Sequence, residues 1–431
     1  MRIAVIGSGI SGLAAALRLT PSHAVTLFES QGRLGGHANT LEVSLDGITA
    51  PVDTGFLVYN HRTYPNLVQL FSDLGVPTAA SDMSFSVSVR PQDFEWCGSS
   101  LSSVFAQPAN ALRPDFWRML RDIGRFNREA TRLAALADQG DRPPALAMPL
   151  GEFLARHGYS DAFRDGYLLP MAAAIWSCPM TTMAAFPMGS FARFFHNHGL
   201  LQVTDRPQWY TVRGGSREYV RRIRERLDDV RTNDPVTAVR RLGLEGSAGV
   251  AVSTARGTEH FDQVVLACHS DQALALLSDP RPEERAVLGA IHYQPNQAWV
   301  HTDLALMPRR RRAWAAWNYL SDGNMQSPQV SVTYWLNRLQ PLPFRTPLLL
   351  SLNPLVEPAA GSVIARIDYE HPIFDQAAVA AQARLTDLQG TRSTWFAGAW
   401  TGYGFHEDGL RSGLAVAGKL LQMPRIDRTA A

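Results

Sequence analysis

Three observations on the 431-residue chain predict an α/β fold in which a parallel-sheet domain is interrupted by an α+β domain. The chain begins with a strand, a glycine turn, a helix and a second strand at tight spacing. Glycine-marked strand–turn–helix blocks return much later. Two long intervals separate these blocks, the first helical in its middle and the second alternating as β-strands do.

Arg2-Ile3-Ala4-Val5-Ile6 reads as a buried strand, Gly7-Ser8-Gly9-Ile10-Ser11-Gly12 as the turn, Leu13 to Leu19 as helix, and Ala24 to Phe28 as a second strand ending in Glu29. This is the spacing of a Rossmann-like dinucleotide-binding unit. Gly7 makes the tight turn, Gly9 lets backbone approach a pyrophosphate, and Gly12 lets helix and strand pack closely. The helix start, with Ser11 in it, presents free N–H groups and a positive dipole end to phosphates. Glu29, seventeen residues after Gly12, stands where a carboxylate accepts hydrogen bonds from a ribose.

Composition narrows the reading. Hydrophobic residues make up 45% and charged residues 19%, so the chain folds to a globule, and a net charge of +2 excludes a polyanion or nucleic-acid binder as the default. Three cysteines without a C-x-x-C pair suit a reducing compartment. With no eighteen-residue apolar run and no leader ahead of the first strand, a cytoplasmic setting is expected. One lysine, Lys419, stands against forty arginines, so chemistry that needs a lysine has one candidate.

After Glu29 the chain reads Ser30-Gln31-Gly32-Arg33-Leu34-Gly35-Gly36-His37. The pattern E-x-x-x-R-x-G-G resembles the flavin-containing amine oxidase and phytoene desaturase superfamily, and the likeness continues in blocks nearly to the end. It implies a Rossmann-like FAD-binding domain, noncovalent FAD, Glu29 and Ser30 at its adenosine end, and Arg33, Gly35 and Gly36 along its diphosphate. His37 is read either as a phosphate contact or as a loop histidine. Asp53-Thr54-Gly55-Phe56, with Tyr59, is similar to the family segment that reaches the flavin ring. Gly214-Gly215 matches a pair that passes beside it, and Val236 the position that holds the adenine. Gly398 ends the last strand, and Gly409 and Leu410 lie at the start of the last helix, whose N-terminus faces the ring in that family. Where the family has an acidic residue after the strand's glycine, this chain has Ala399 and Trp400.

The resemblance divides the chain into an FAD domain of residues 1–75, 205–290 and 390–431 and a substrate domain of residues 76–204 and 291–389. Helices are expected over Thr63 to Gly75, Tyr219 to Leu227 and a stretch carrying Phe116, Leu120, Ile123 and Phe126. Strands are expected at Gln329 to Trp335 and Ser362 to Ile367, and disorder after Pro424.

The activity implied is oxidation by hydride transfer from carbon to flavin. Many amine oxidases of the superfamily carry a lysine in the substrate domain, and residues 291–389 hold none. Gly36-His37-Ala38-Asn39-Thr40, Tyr293-Gln294-Pro295-Asn296 and Gly404 to Gly409 resemble a bacterial subgroup of FAD proteins that accompany cyclopropane and methylated fatty-acid synthesis. That implies a hydrophobic substrate, a modified fatty acyl chain that is free or phospholipid-linked. Amine oxidation and a structural or electron-transfer flavoprotein are the alternatives. His406 and Glu407 are the candidate catalytic residues near the ring, and His301 and Asp303 those in the substrate domain. His196 and His198 do not make a metal site, and no metal is expected. Phe186 to Phe195 reads as helical core or as an apolar tunnel wall. Arg309-Arg310-Arg311-Arg312, with Trp314 and Trp317, reads as a solvated loop or as a peripheral contact with anionic headgroups.

Overall fold

The computed structural model describes residues 1–141, 143–202, 206–243, 248–324, 326–327 and 329–423. The expected disorder after Pro424 falls outside these residues.

A five-stranded sheet runs in the order Asp229–Arg231, Ala24–Phe28, Arg2–Ile6, Gln263–Leu266, Thr394–Phe396. Every pair is parallel, with Ile3 opposite both Val25 and Gln263. Parallel strands are covered on both faces, which is why they read as unbroken apolar runs. Ile3 and Val5 join a core under the helices Ile10–Leu19 and His406–Leu421, while Ala4 and Ile6 join a second core on the opposite face. The antiparallel strands Val236–Arg241, Val250–Thr254 and Gly257–Phe261 contribute to that second core. The two helices touch closely: a Cβ on Gly413 would lie 2.1 Å from the Ser11 carbonyl oxygen.

The second large sheet has seven strands, in the order Val363–Pro372, Tyr293–His301, Leu349–Leu352, Ser331–Trp335, Trp317–Ser321, Phe85–Val89, Phe94–Cys97. The last two come from the interval read as helical. Phe85–Val89 pairs parallel with Trp317–Ser321, so the two intervals share one sheet. Against this sheet lies a helical subregion including Pro114–Asp138, Leu150–Arg156, Leu169–Trp176 and Met188–Asn197. Phe116 and Phe126 are buried there, and Leu120 and Ile123 pack at its margin. Phe191, Phe194 and Phe195 are core residues, as the helical reading of that segment expects.

The remaining expected elements occur with shifted ends. The helix after Thr63 spans Pro65–Leu74, stopped by left-handed Gly75, and that before Leu227 spans Arg217–Arg224. Asp229–Arg231 is an edge strand too polar to read from pattern; Thr26 donates its hydroxyl to Asp229 at 2.8 Å. Among the described residues no helix is long and apolar enough to cross a membrane.

Candidate active site

Gly7, Glu29, Ala267 and Gly398 all lie at the carboxyl ends of the parallel strands, where open α/β sheets form their binding crevice. Gly7 takes φ +100°, and a Cβ there would lie 2.6 Å from the Ala267 carbonyl oxygen. A Cβ on Gly12 would lie 1.9 Å from the Gly7 carbonyl oxygen, so both positions are closed to side chains by the fold itself. Gly9 differs. A Cβ there meets nothing within 4 Å, and Gly36, at φ +57°, faces it with its own Cβ position 3.3 Å from the Gly9 Cα. The two glycines border an open cradle at the start of helix Ile10–Leu19, where a diphosphate can approach backbone N–H groups.

Beside the cradle, Glu29 accepts four hydrogen bonds: from Ser8 N–H and Oγ, from Gln31 N–H at 2.9 Å and from Ser30 Oγ at 3.2 Å. Ser30 is exposed and its bond is the longest. Gly35 N–H donates to the Ser8 carbonyl at 3.1 Å, and Arg33 donates to the Gly36 carbonyl at 2.8 Å. Val236 opens the strand that follows Asp234, whose N–H donates to the Glu29 carbonyl.

At the other end of the groove, Gly55 lies so close to His37 that a Cβ would sit 2.2 Å from its carbonyl oxygen, and Phe56 N–H donates to the same oxygen at 2.8 Å. Gly214 and Gly215 approach from the far side, held by Asp53. That carboxylate, 1% exposed, accepts from Thr40 Oγ1 at 2.6 Å, Ser216 Oγ at 2.7 Å and Ser216 N–H. Burial raises the Asp53 pKa to about 6 despite these donors.

Four histidines meet around the groove. His37 stacks on Tyr369 with ring centroids 5.0 Å apart and lies 5.3 Å from His371, on the edge strand of the seven-stranded sheet. Its Nε2 is buried without a hydrogen-bond partner among the described residues, an orphan that a cofactor oxygen would satisfy. Tyr369 is fixed by Asn39 and Thr54, at 3.0 and 2.9 Å. Burial lowers the pKa of His371 to about 4 and of His406 to about 3, and depresses His37 and His269 as well, each of the latter beside charged or titratable neighbours. All four are neutral at pH 7. The open cradle, the orphan nitrogen and the neutral donors fit FAD.

His406 stacks on Phe56 at 4.0 Å and lies 2.7 Å from the Tyr219 hydroxyl. Tyr219 is fully buried, and burial holds its pKa well above the ordinary value, so its O–H needs an acceptor. His406 Nε2 supplies it, which leaves the proton on Nδ1. In this arrangement His406 presents Nδ1–H as a hydrogen-bond donor, and burial keeps its imidazole weakly basic.

Three other candidates are engaged elsewhere. Glu407 accepts from Asn66 N–H, Asn66 Nδ2 and Leu67 N–H, and so anchors the start of helix Pro65–Leu74. His301 sits at the opposite end of its strand from Tyr293. Eight residues at ~3.3 Å each separate the two. Its Nδ1 accepts the Asp303 N–H, and its Nε2 lies 2.8 Å from Ser351 Oγ. Asp303 caps Ala305 and accepts from Ala359 N–H. Tyr59, assigned to the ring, packs instead in the core against Tyr64, Phe71 and Tyr210. Leu410 is likewise fully buried in the core, and Gly409 lets the last helix meet Ile10. Trp400 fills the place of the family's acidic residue and donates Nε1–H to the Cys268 carbonyl at 3.0 Å.

Sequence reasoning did not assign Ser8, Tyr369 and His371 to the site. Ser8 lies inside the glycine motif, and its hydroxyl meets Glu29 only because the first two strands pair side by side. The strand carrying Tyr369 and His371 reaches the groove by tertiary pairing with Tyr293–His301, which no local pattern announces.

Next to His406 the chain enters a buried aromatic cluster. Phe405, just ahead of His406, stacks on Phe194 at 5.0 Å, and Trp176 lies 4.4 Å from Phe194 and donates Nε1–H to the Tyr403 carbonyl.

The same fold occurs in several solved proteins. A CLA-producing fatty acid isomerase from P. acnes is 16% identical, with a TM-score of 0.67 over 97% of this chain and 98% of its own. Putrescine oxidase bound to putrescine is 16% identical, with a TM-score of 0.68 over 98% and 100%. Cyclohexylamine oxidase from Brevibacterium oxydans IH-35A is 15% identical, with a TM-score of 0.68 over 98% and 99%. No curated protein sequence matches the chain. The family model for flavin-containing amine oxidoreductases matches residues 10–306, which span the helix after the phosphate turn, Glu29, Arg33, Asp53 and the Gly214-Gly215 pair. With that match over most of the chain, and a crevice whose residues suit FAD, the protein belongs to the flavin-containing amine oxidoreductase family.

Proposed function

We propose that this FAD-dependent oxidoreductase acts on a hydrophobic substrate, a modified fatty acyl chain of the methylated, cyclopropane or furan type. The observation that carries the reading is the chemistry around the groove. Its histidines are neutral, the Asp53 and Glu407 carboxylates are consumed by structural hydrogen bonds, and the segment just ahead of His406 packs through Phe405 onto a buried aromatic core of Phe194 and Trp176. An apolar chain gains by leaving water for apolar surface, whereas an alkylammonium would find the Asp53 and Glu407 carboxylates already engaged. The sole lysine, Lys419, is exposed on the last helix, outside the groove.

Bound FAD would supply the acceptor for a hydride leaving carbon. The chain's own residues orient and shield: Phe56 and His406 form a stacked wall, Tyr369 and His371 close it from the substrate sheet, and Asp53 holds the glycine pair in place. The fold does not choose the substrate, since it serves both a fatty acid isomerase and putrescine oxidase. Amine oxidation is the second reading. It is favoured by an open cavity of about 330 Å³ on the substrate sheet, lined by Trp299, Glu357, Asp368 and Glu370 among others.

The test is anaerobic reduction of the purified holoprotein. Methylated or cyclopropane acyl lipids should bleach the flavin, and putrescine, benzylamine and cyclohexylamine should not. Rapid bleaching by any of the amines, with none by acyl chains, would put amine oxidation first.

A further inference from the structure

Among the described residues seven large hydrophobic side chains are exposed, and three of them fall within seventeen residues: Leu101 at 82%, Leu112 at 87% and Trp117 at 52%. They form one surface. Trp117 donates Nε1–H to the Ala111 carbonyl at 2.9 Å, which holds the indole beside Leu112. Phe105, which follows the short helix Leu101–Val104, packs on the Trp117 ring at 5.7 Å. The helix bearing Leu101 also packs on the turn Arg311–Ala313, and that turn belongs to the arginine run.

Within the run the four arginines differ. Arg310 is tied to Asp93 and the buried Glu95, and Glu95 also accepts the N–H groups of Arg309 and Arg310. This pins the loop and leaves the Arg309, Arg311 and Arg312 side chains exposed. Trp314 and Trp317 are not anchors. Trp314 donates to the Pro308 carbonyl and packs edge-on against Trp335, and Trp317 packs on Tyr334. The nearby exposed carboxylates Asp93 and Asp115 are paired with Arg310 and Arg118.

We propose that this surface docks the protein on an anionic lipid bilayer, with Leu101, Leu112 and Trp117 entering the interface and Arg309, Arg311 and Arg312 facing the headgroup phosphates. The charge chooses the occupant. Exposed apolar side chains beside arginines that make no ion pair among the described residues, Arg311 lying over the Trp314 ring, match a layer that is apolar beneath and negative above, and a tryptophan settles at that boundary. The inference deepens the acyl-chain reading, because an esterified chain has to be met at its membrane. Its physical basis does not depend on that reading.

The experiment is co-sedimentation of the holoprotein with vesicles of pure phosphatidylcholine and of phosphatidylcholine with phosphatidylglycerol, none carrying a substrate. Wild type should sediment with the anionic vesicles at low salt and be released by high salt. Arg309→Ser/Arg311→Ser/Arg312→Ser should bind about tenfold or more weakly, since each arginine contributes at the surface. Leu101→Ser/Leu112→Ser should bind more weakly at every salt concentration, with FAD content unchanged as the check on folding. Equal sedimentation of wild type and both variants, or no binding to anionic vesicles, would overturn the proposal. So would concentration-dependent self-association without lipid that the leucine variant abolishes. Flavin bleaching by acyl lipids in detergent is read separately, so failure here is distinct from failure of the substrate assignment.

Discussion

Asn296 Nδ2 lies 2.9 Å from His371 Nδ1, and the amide can only donate in that direction. The Gln297 N–H donates to Asn353 Oδ1 at 2.8 Å, so Asn353 turns its Nδ2 toward Asn296, whose Oδ1 accepts at 2.6 Å. The other side of the Asn296 amide is then its nitrogen, which also donates to the Gln294 carbonyl. His371 Nδ1 is thus an acceptor and its proton resides on Nε2. Asn353 is held for this in a left-handed backbone conformation, φ +45°.

The relay predicts the tautomer. Long-range ¹H–¹⁵N spectra of the holoprotein at pH 7 should show His371 protonated at Nε2. Asn296→Asp presents an acceptor in place of the donor, so the proton should move to Nδ1 and the His371 pKa, now about 4, should rise. An Nδ1–H imidazole in the wild type would refute the relay.

The cradle predicts two glycine variants with opposite behaviour. Gly9→Ala places a methyl where the protein has nothing within 4 Å, so it should fold like wild type and lose its FAD. Gly12→Ala drives a Cβ into the Gly7 carbonyl and should impair folding. Glu29→Ala should weaken FAD by about 1.5–3 kcal/mol, the range for hydrogen bonds to a charged group. Flavin content after gel filtration and thermal melting separate these effects, and acid should release intact FAD from the wild type. Full flavin content in Gly9→Ala would relocate the diphosphate.

Asp53 predicts a pH dependence. Its folded pKa of about 6 exceeds the ordinary 3.8, so the folded protein takes up the proton first as pH falls. Its contribution to stability is fully present below about 4 and is lost as pH rises through about 6. Two pKa units correspond to about 3 kcal/mol. The melting temperature of wild type minus that of Asp53→Asn should therefore fall by a few degrees between pH 4.5 and 7. Asp408, also raised to about 6, is common to both proteins and cancels. A flat difference would mean that Asp53 does not titrate in this range.

The phosphate end of the site was legible because it is local. Gly7, Gly9, Gly12 and Glu29 lie in one unbroken strand–turn–helix–strand, where Gly7 and Gly12 meet backbone too close for a side chain, Gly9 borders the open cradle and Glu29 gathers the neighbouring donors. The ring end was not, because its walls come from distant segments. Glu407 read as a candidate catalytic acid, and only the fold reveals Asn66 and Leu67 waiting for its oxygens. His301 read as a candidate base, and the strand carries it to the far end of the sheet. The hairpin Phe85–Val89 and Phe94–Cys97 is short beside the helix Pro114–Asp138 that dominates its interval, although serine and apolar residues alternate in its first strand.

The packing of Gly413 on Ser11 also sets an order in time. The turn that receives the diphosphate is made first, yet its helix gains its cover, and its sheet the edge strand Thr394–Phe396, only when nearly the whole chain exists. At ~5–20 residues per second the nascent chain carries an unfinished groove for roughly 20–80 s. During that interval the apolar side of Ile10–Leu19 and the open edge of Gln263–Leu266 are where misassembly would begin. The groove is complete only once those last segments exist, so a polypeptide that stops short of residue 394 is expected to carry the motif for FAD without a groove to keep it.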